Sequence, residues 1–201
     1  PDNGTDTAGT DDSAFHKSTN PWYDASEVSI GAGSITASRA TSIPAQNISE
    51  NLANQPLGGF NIEVKGEAIT VGKMVFNLTK FAGTGATAST QDVTNITLVN
   101  QSTGAVVAGP VDVAASSPTV TFTDAVTFGV GKFTYALKGK LGTDYATDDT
   151  VLASTTPSTD WTTVTGQTTG VSITPAPTSA VEGSTMTVKA GALTISVSTN
   201  P

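Results

Sequence analysis

No stretch of ten or more residues in this chain places apolar side chains at helical spacing. The apolar residues instead alternate with polar ones in short runs closed by turn residues. That pattern constrains the fold more than any other feature. Successive side chains of a strand point to opposite faces, so alternation buries one face and leaves the other in water. The runs are FNIEV from Phe60, EAITV from Glu67, KMVFNLTKF from Lys73, NITLVN from Asn95, GAVVAGPVDV from Gly104, TVTFTD from Thr119, KFTYALKG from Lys132, DTVLAS from Asp149, DWTTV from Asp160, GVSIT from Gly170 and STMTVK from Ser184. Between them lie Lys65-Gly66, Gly83-Thr84-Gly85, Ser102-Thr103-Gly104, Gly139 and Gly142. Short strands at such intervals predict an all-β fold, an antiparallel sandwich. Met74, Phe76 and Leu78 share one strand face, as do Phe133, Tyr135 and Leu137 of a later strand. With Ile96 and Leu98 they form the expected core, and Trp161 is expected to be half-buried.

Three segments follow from texture. Residues 1–25 are rich in Gly, Asp, Thr and Ser, too poor in apolar surface to offset ordering entropy, and read as a flexible polar arm. The arm carries one adhesive spot, Pro21-Trp22-Tyr23. Trp22 and Tyr23 are candidate anchors for a partner, because amphipathic rings dominate interface energetics. Residues 26–44 read as a junction strand, with Val28 and Ile30 on one face and Ile35 beyond the Gly31-Ala32-Gly33 break. Residues 45–201 are the expected sandwich. The opening Pro1-Asp2-Asn3-Gly4-Thr5 is not a natural start and reads as that of a mature or excised fragment.

The two ends of the chain repeat each other. SEVSIGAGSITAS from Ser26 aligns without gaps with STMTVKAGALTIS from Ser184, at an offset of 158 residues. Five positions are identical: Ser26/Ser184, Ala32/Ala190, Gly33/Gly191, Thr36/Thr194 and Ser38/Ser196. Val28/Met186, Ile30/Val188 and Ile35/Leu193 exchange like for like. A segment that both closes one period and opens the next reads as closing strand plus junction, the arrangement of sandwiches strung in tandem. An alternating strand detached from its unit invites strand addition to another chain, so Val28, Ile30 and Ile35 are candidate assembly residues.

LGGFNIEVKGEAITVGKMVFNLT, DVTNITLVN, VTFTDAVTFGVGKFTYALKGKL, STDWTTVTGQTTGVSIT and MTVKAGALTISVSTNP resemble a recurrent unit of very large Ig-like surface proteins of prokaryotes, including S-layer-like and appendage proteins. The resemblance covers residues 26 to 201. It implies an Ig-like β-sandwich, a place on the cell surface, and no catalytic residues to transfer.

Composition excludes several function classes. The formal net charge is −8 with nine Lys plus Arg, so no basic stripe exists for a phosphate backbone or an anionic membrane. Cysteine is absent, which removes disulfides and thiolate metal sites. No apolar run reaches membrane-spanning length. The lone histidine, His16, lies in the polar arm, where a triad or zinc site has no ordered partner. Glu63 and Glu67, with Asp92 and Asp160, are the only acids to consider for glycoside hydrolysis, and both glutamates read as solvated acids on an outward face. The loop Thr143-Asp144-Tyr145-Ala146-Thr147-Asp148-Asp149 gathers Asp144, Asp148 and Asp149, a carboxylate set of the kind calcium takes, though not at EF-hand spacing. Five N-x-Ser/Thr sequons occur; Asn77 and Asn95 fall on the outward phase of their strands and are candidate glycan acceptors.

The expectation is a non-catalytic structural module of an extracellular surface layer, stalk or filament, partnered by copies of itself or adjacent repeats. It needs no cofactor, calcium being the one candidate. The alternative is an adhesin or carbohydrate-binding sandwich, which requires a cluster of exposed aromatics.

Overall fold

The computed structural model describes residues 31–83, 92–113 and 117–189. From Ala32 on, the described residues form one unit. The arm, Trp22, Tyr23, Val28, Ile30 and the second half of the C-terminal repeat lie outside the described residues.

The unit is an all-β sandwich of two packed sheets. The first sheet has five strands: β1 (Ser34–Arg39), β3 (Gln55–Lys65), β9 (Gly131–Leu141), β5 (Val93–Asn100) and β6 (Val106–Val113), in that order and all antiparallel. The second has eight, built around β4 (Ile69–Phe81). One flank of β4 carries β10 (Thr150–Thr155) and then β11 (Trp161–Gly166); the other carries β7 (Thr119–Phe122) and then β8 (Val126–Phe128). At thirteen residues β4 is long enough to hold two shorter strands in succession on each side. A one-turn helix, α1 (Pro157–Asp160), separates β10 from β11. Beyond β10 lie β12 (Val181–Glu182) and β13 (Met186–Val188), and β13 pairs with β2 (Asn47–Ile48) in parallel.

The core forms where the two inner faces meet, and aromatic pairs bridge the sheets. Phe60 of β3 lies 5.2 Å from Phe76 of β4, which lies 6.0 Å from Phe122 of β7. A second group joins Phe128 to Tyr135 edge-on at 5.3 Å and to Trp161 in a stack at 6.3 Å. Met74, Phe76, Leu78, Ile96, Leu98, Tyr135 and Leu137 are buried as the alternation predicts, whereas Phe133 is only partly buried, against the cluster. Trp161 is fully buried rather than half-buried. Its indole N–H donates to Thr155 Oγ1 at 3.0 Å, and that hydroxyl donates to the Val75 carbonyl at 2.8 Å. The ring is thereby satisfied, which is what permits complete burial.

Several local readings differ from the structure. EAITV and KMVFNLTKF are one strand, β4, because the chain stays extended through Gly72 and Lys73. Gly72 faces Thr163, whose side chain fills the space a Cβ at position 72 would need (2.9 Å). Thr163 pays for that proximity with a left-handed backbone at φ +54°, unfavourable for a β-branched residue. Thr163→Asn, at this exposed position, is expected to raise the unfolding free energy by about 1 kcal/mol in urea titration, since Asn tolerates that region. GVSIT makes only an isolated bridge, Thr165 to Ser172, instead of a strand. The helix α1 begins with Pro157, whose fixed φ suits the first helical position and whose missing N–H would have no helical partner there.

Candidate functional site

Strand direction gives the sandwich two poles. β1 starts opposite Lys65 of β3, at the pole where β9 also starts, Val64 pairing with Gly131. The Ile69 end of β4 and the Gly166 end of β11 lie at the same pole, called proximal here. β13 runs in the same direction as β1 and ends at the other pole. Thr187 pairs with Thr150, which pairs with Phe81 at the far end of β4. The chain therefore comes into the unit at the proximal pole and leaves it at the opposite, distal pole.

The proximal pole is organised by one carboxylate. The tight turn at Gly66 (φ +85°) points Glu67 inward, where it is only 7% exposed. Its Oε2 accepts the Thr168 and Thr169 N–H groups at 2.6 and 2.9 Å, and its Oε1 accepts the Thr169 hydroxyl at 2.6 Å. Oε1 also accepts the Gly33 N–H at 3.3 Å. Gly33 has no room for a side chain, since a Cβ there would lie 2.9 Å from the Lys65 carbonyl oxygen and from Glu67 Cγ. Glu67 thus ties the first residues of the unit to the β3–β4 turn and to the loop after β11. The expectation that both Glu63 and Glu67 are solvated is corrected for Glu67. Glu63 does face outward, 3.1 Å from the Lys65 ammonium. No local pattern marks Glu67, because its four donors come from residues 34 to 102 positions away in sequence.

The Thr169 hydroxyl and then its N–H, with further N–H groups from Thr168 and Gly33, outweigh partial burial and hold the Glu67 carboxyl down at about 2, from 4.5. A carboxyl depressed on folding contributes stability that is fully present above 4.5 and is lost as pH falls towards 2. Thermal unfolding followed from pH 5 to pH 2 is expected to show this loss in the native chain and a visibly shallower one in Glu67→Gln.

At the distal pole the three loop carboxylates face three ways. Asp149 is fully buried; its Oδ1 accepts the Gly83 N–H at 2.7 Å and its Oδ2 the Ala146 N–H at 2.9 Å. Asp148 is exposed and paired with the Lys189 ammonium. Asp144 is exposed and shares the field of Lys80 with Asp92. Among the described residues no group of three or more His, Cys, Asp or Glu is placed to hold a metal. Tyr145 between them is buried with an unpartnered hydroxyl, and burial, then Asp144, Asp92 and Asp149, pushes its pKa up.

The remaining candidates separate. Ile35 lies in β1, buried in the core of its own chain and paired with Val64 of β3. The Ile35 carbonyl accepts the Ala176 N–H at 3.0 Å, and the Ala176 carbonyl accepts the Ala37 N–H at 2.8 Å. The place beside β3 is therefore filled in cis. Asn77 is half-buried in the middle of β4, between Ser154 and Thr119. Asn95 is exposed, with φ +51°, at an irregularity of β5 where its N–H donates to Asp112 Oδ1 at 2.7 Å. Of the two, Asn95 is the accessible sequon. No protein-family model and no curated protein matches the chain.

Proposed function

We propose that this chain is a non-catalytic structural module of an extracellular surface layer, stalk or filament, used in tandem with units of the same fold. One observation carries the reading. Among the described residues, the repeated segment holds the last strand, β13 at Met186–Val188, in its C-terminal copy, and all but the final residue of the first strand, β1 at Ser34–Arg39, in its N-terminal copy. The repeat therefore spells last strand, joint, first strand, which is the sequence by which one sandwich hands over to the next. The acidic surface and the likeness to prokaryotic surface proteins support the location, since net charge keeps such modules apart from their neighbours.

Antibody raised against the purified chain and applied with gold to intact source cells tests the reading. Label at regular spacing on the outer surface or on an appendage is expected; label found only after permeabilisation would sink it. The adhesin alternative predicts saturable retention on a glycan array. Phe81 is the only exposed large aromatic among the described residues, too little for a sugar-stacking platform.

A further inference from the structure

The joint between units is short, and the described residues that flank it in the repeat register, Lys189 and Gly33, are both hydrogen-bonded. In the repeat register Lys189, Ala190 and Gly191 correspond to Gly31, Ala32 and Gly33. Three extended residues span at most about 11 Å. At the distal pole the Lys189 N–H donates to the Ile48 carbonyl at 2.8 Å, and its ammonium pairs with Asp148. At the proximal pole the counterpart of Gly191 is Gly33, held by Glu67 and hemmed in by the Lys65 carbonyl. With so short a reach, the distal pole of one unit must abut the proximal pole of the next.

The two poles carry matching apolar residues. Leu52 and Phe81 are 53% and 51% exposed. Leu52 follows Asn51, whose N–H donates to the Leu141 carbonyl, and Phe81 ends β4, so both lie at the distal pole. Val130, 57% exposed, directly precedes β9, and the carbonyl of Val171, 47% exposed, accepts the Gly166 N–H at 3.0 Å, which puts both at the proximal pole. These are four of the five exposed large hydrophobics among the described residues, two at each pole.

We propose that successive units of this fold stack end to end as a stiff rod, the Leu52–Phe81 pole of one docking on the Val130–Val171 pole of the next. The proposal rests on the tandem reading above and adds to it the occupant, the contact surface and the stiffness.

The chain contains no cysteine, which makes the test clean. A two-unit chain is prepared in which residue 191 is followed by residue 34 and then by the sequence to residue 201. Lys73→Cys in each unit carries a spin label on the exposed face of β4, and the label separation is read by double electron–electron resonance. The expected result is one narrow distance on the order of 55 Å, the length of a strand of the size of β4 plus the joint. Four Gly or Ser residues inserted after Gly191 are expected to broaden it, and so is the pair Leu52→Ser with Phe81→Ser in the first unit. Melting curves confirm that each variant is folded. A broad distribution in the unaltered two-unit chain overturns the proposal. So does a narrow one that the serine pair leaves unchanged, which would assign the stiffness to the joint alone. Either failure leaves the cell-surface location to be decided by the labelling experiment.

Discussion

Phe76→Ala is expected to lower the unfolding free energy by about 3–5 kcal/mol, the largest effect of any single substitution considered. Phe76 sits at the centre of the sandwich, fully buried, tilted against Phe60 at 5.2 Å and edge-on to Phe122 at 6.0 Å. Those rings belong to three strands, one in the first sheet and two in the second, so truncation opens a cavity that neither sheet can close without shifting register. Aromatic pairs contribute about 0.5–1.5 kcal/mol beyond the area they bury, and two such pairs are lost together. Equilibrium urea unfolding followed by tryptophan fluorescence measures the change, with Trp161 buried in the adjoining aromatic group as reporter. Phe76→Leu, which keeps most of the volume, is expected to cost clearly less. Equal costs for the two would place the destabilisation in the strand backbone rather than in the lost ring.

Asp149→Asn is expected to cost about 2–3 kcal/mol, although it changes no volume. The carboxylate receives two backbone N–H groups, from Gly83 and Ala146, one on each oxygen. An amide offers an oxygen to only one of them and turns its own NH2 towards the other, leaving a buried donor without an acceptor. Asp144→Asn and Asp148→Asn are exposed and are expected to stay within about 1 kcal/mol of the native chain, even though Asp148 loses its pairing with Lys189. The same three variants examine the calcium reading of this loop. A calcium-dependent rise in melting temperature that all three substitutions abolish would make the loop a metal site; a large cost at Asp149 alone makes it a structural clamp.

The core was legible because burial follows alternation wherever a strand is long and regular. Met74, Phe76 and Leu78 recur at every second residue of β4, and all three are buried. Phe133 alternates equally well but sits two residues from the start of β9, near the proximal edge, and is only partly covered. GVSIT also alternates, yet it lies between the Glu67-bound turn and Ala176, where its neighbours offer a bridge rather than a ladder. The candidate sites were less legible. Glu63 and Glu67 look alike in sequence, but one pairs with Lys65 at the surface and the other collects four hydrogen bonds inside a turn. Asp144, Asp148 and Asp149 read as one cluster, and the loop's path sends them to three different partners.

Residue-by-residue patterning was enough to establish that the chain is all β, where most strands lie, which faces they bury, and that a segment recurs after 158 residues. These are local or linear properties, and alternation and repetition express them directly. Long-range pairing decided the rest. It placed Ser34–Arg39 beside β3, made β2 and β13 a parallel pair, buried Glu67, and set the start of β1 and the end of β13 at opposite poles. Such pairings join residues far apart in the chain. Their free energy comes from faces that meet only when the whole sandwich closes, so no single segment carries their signature.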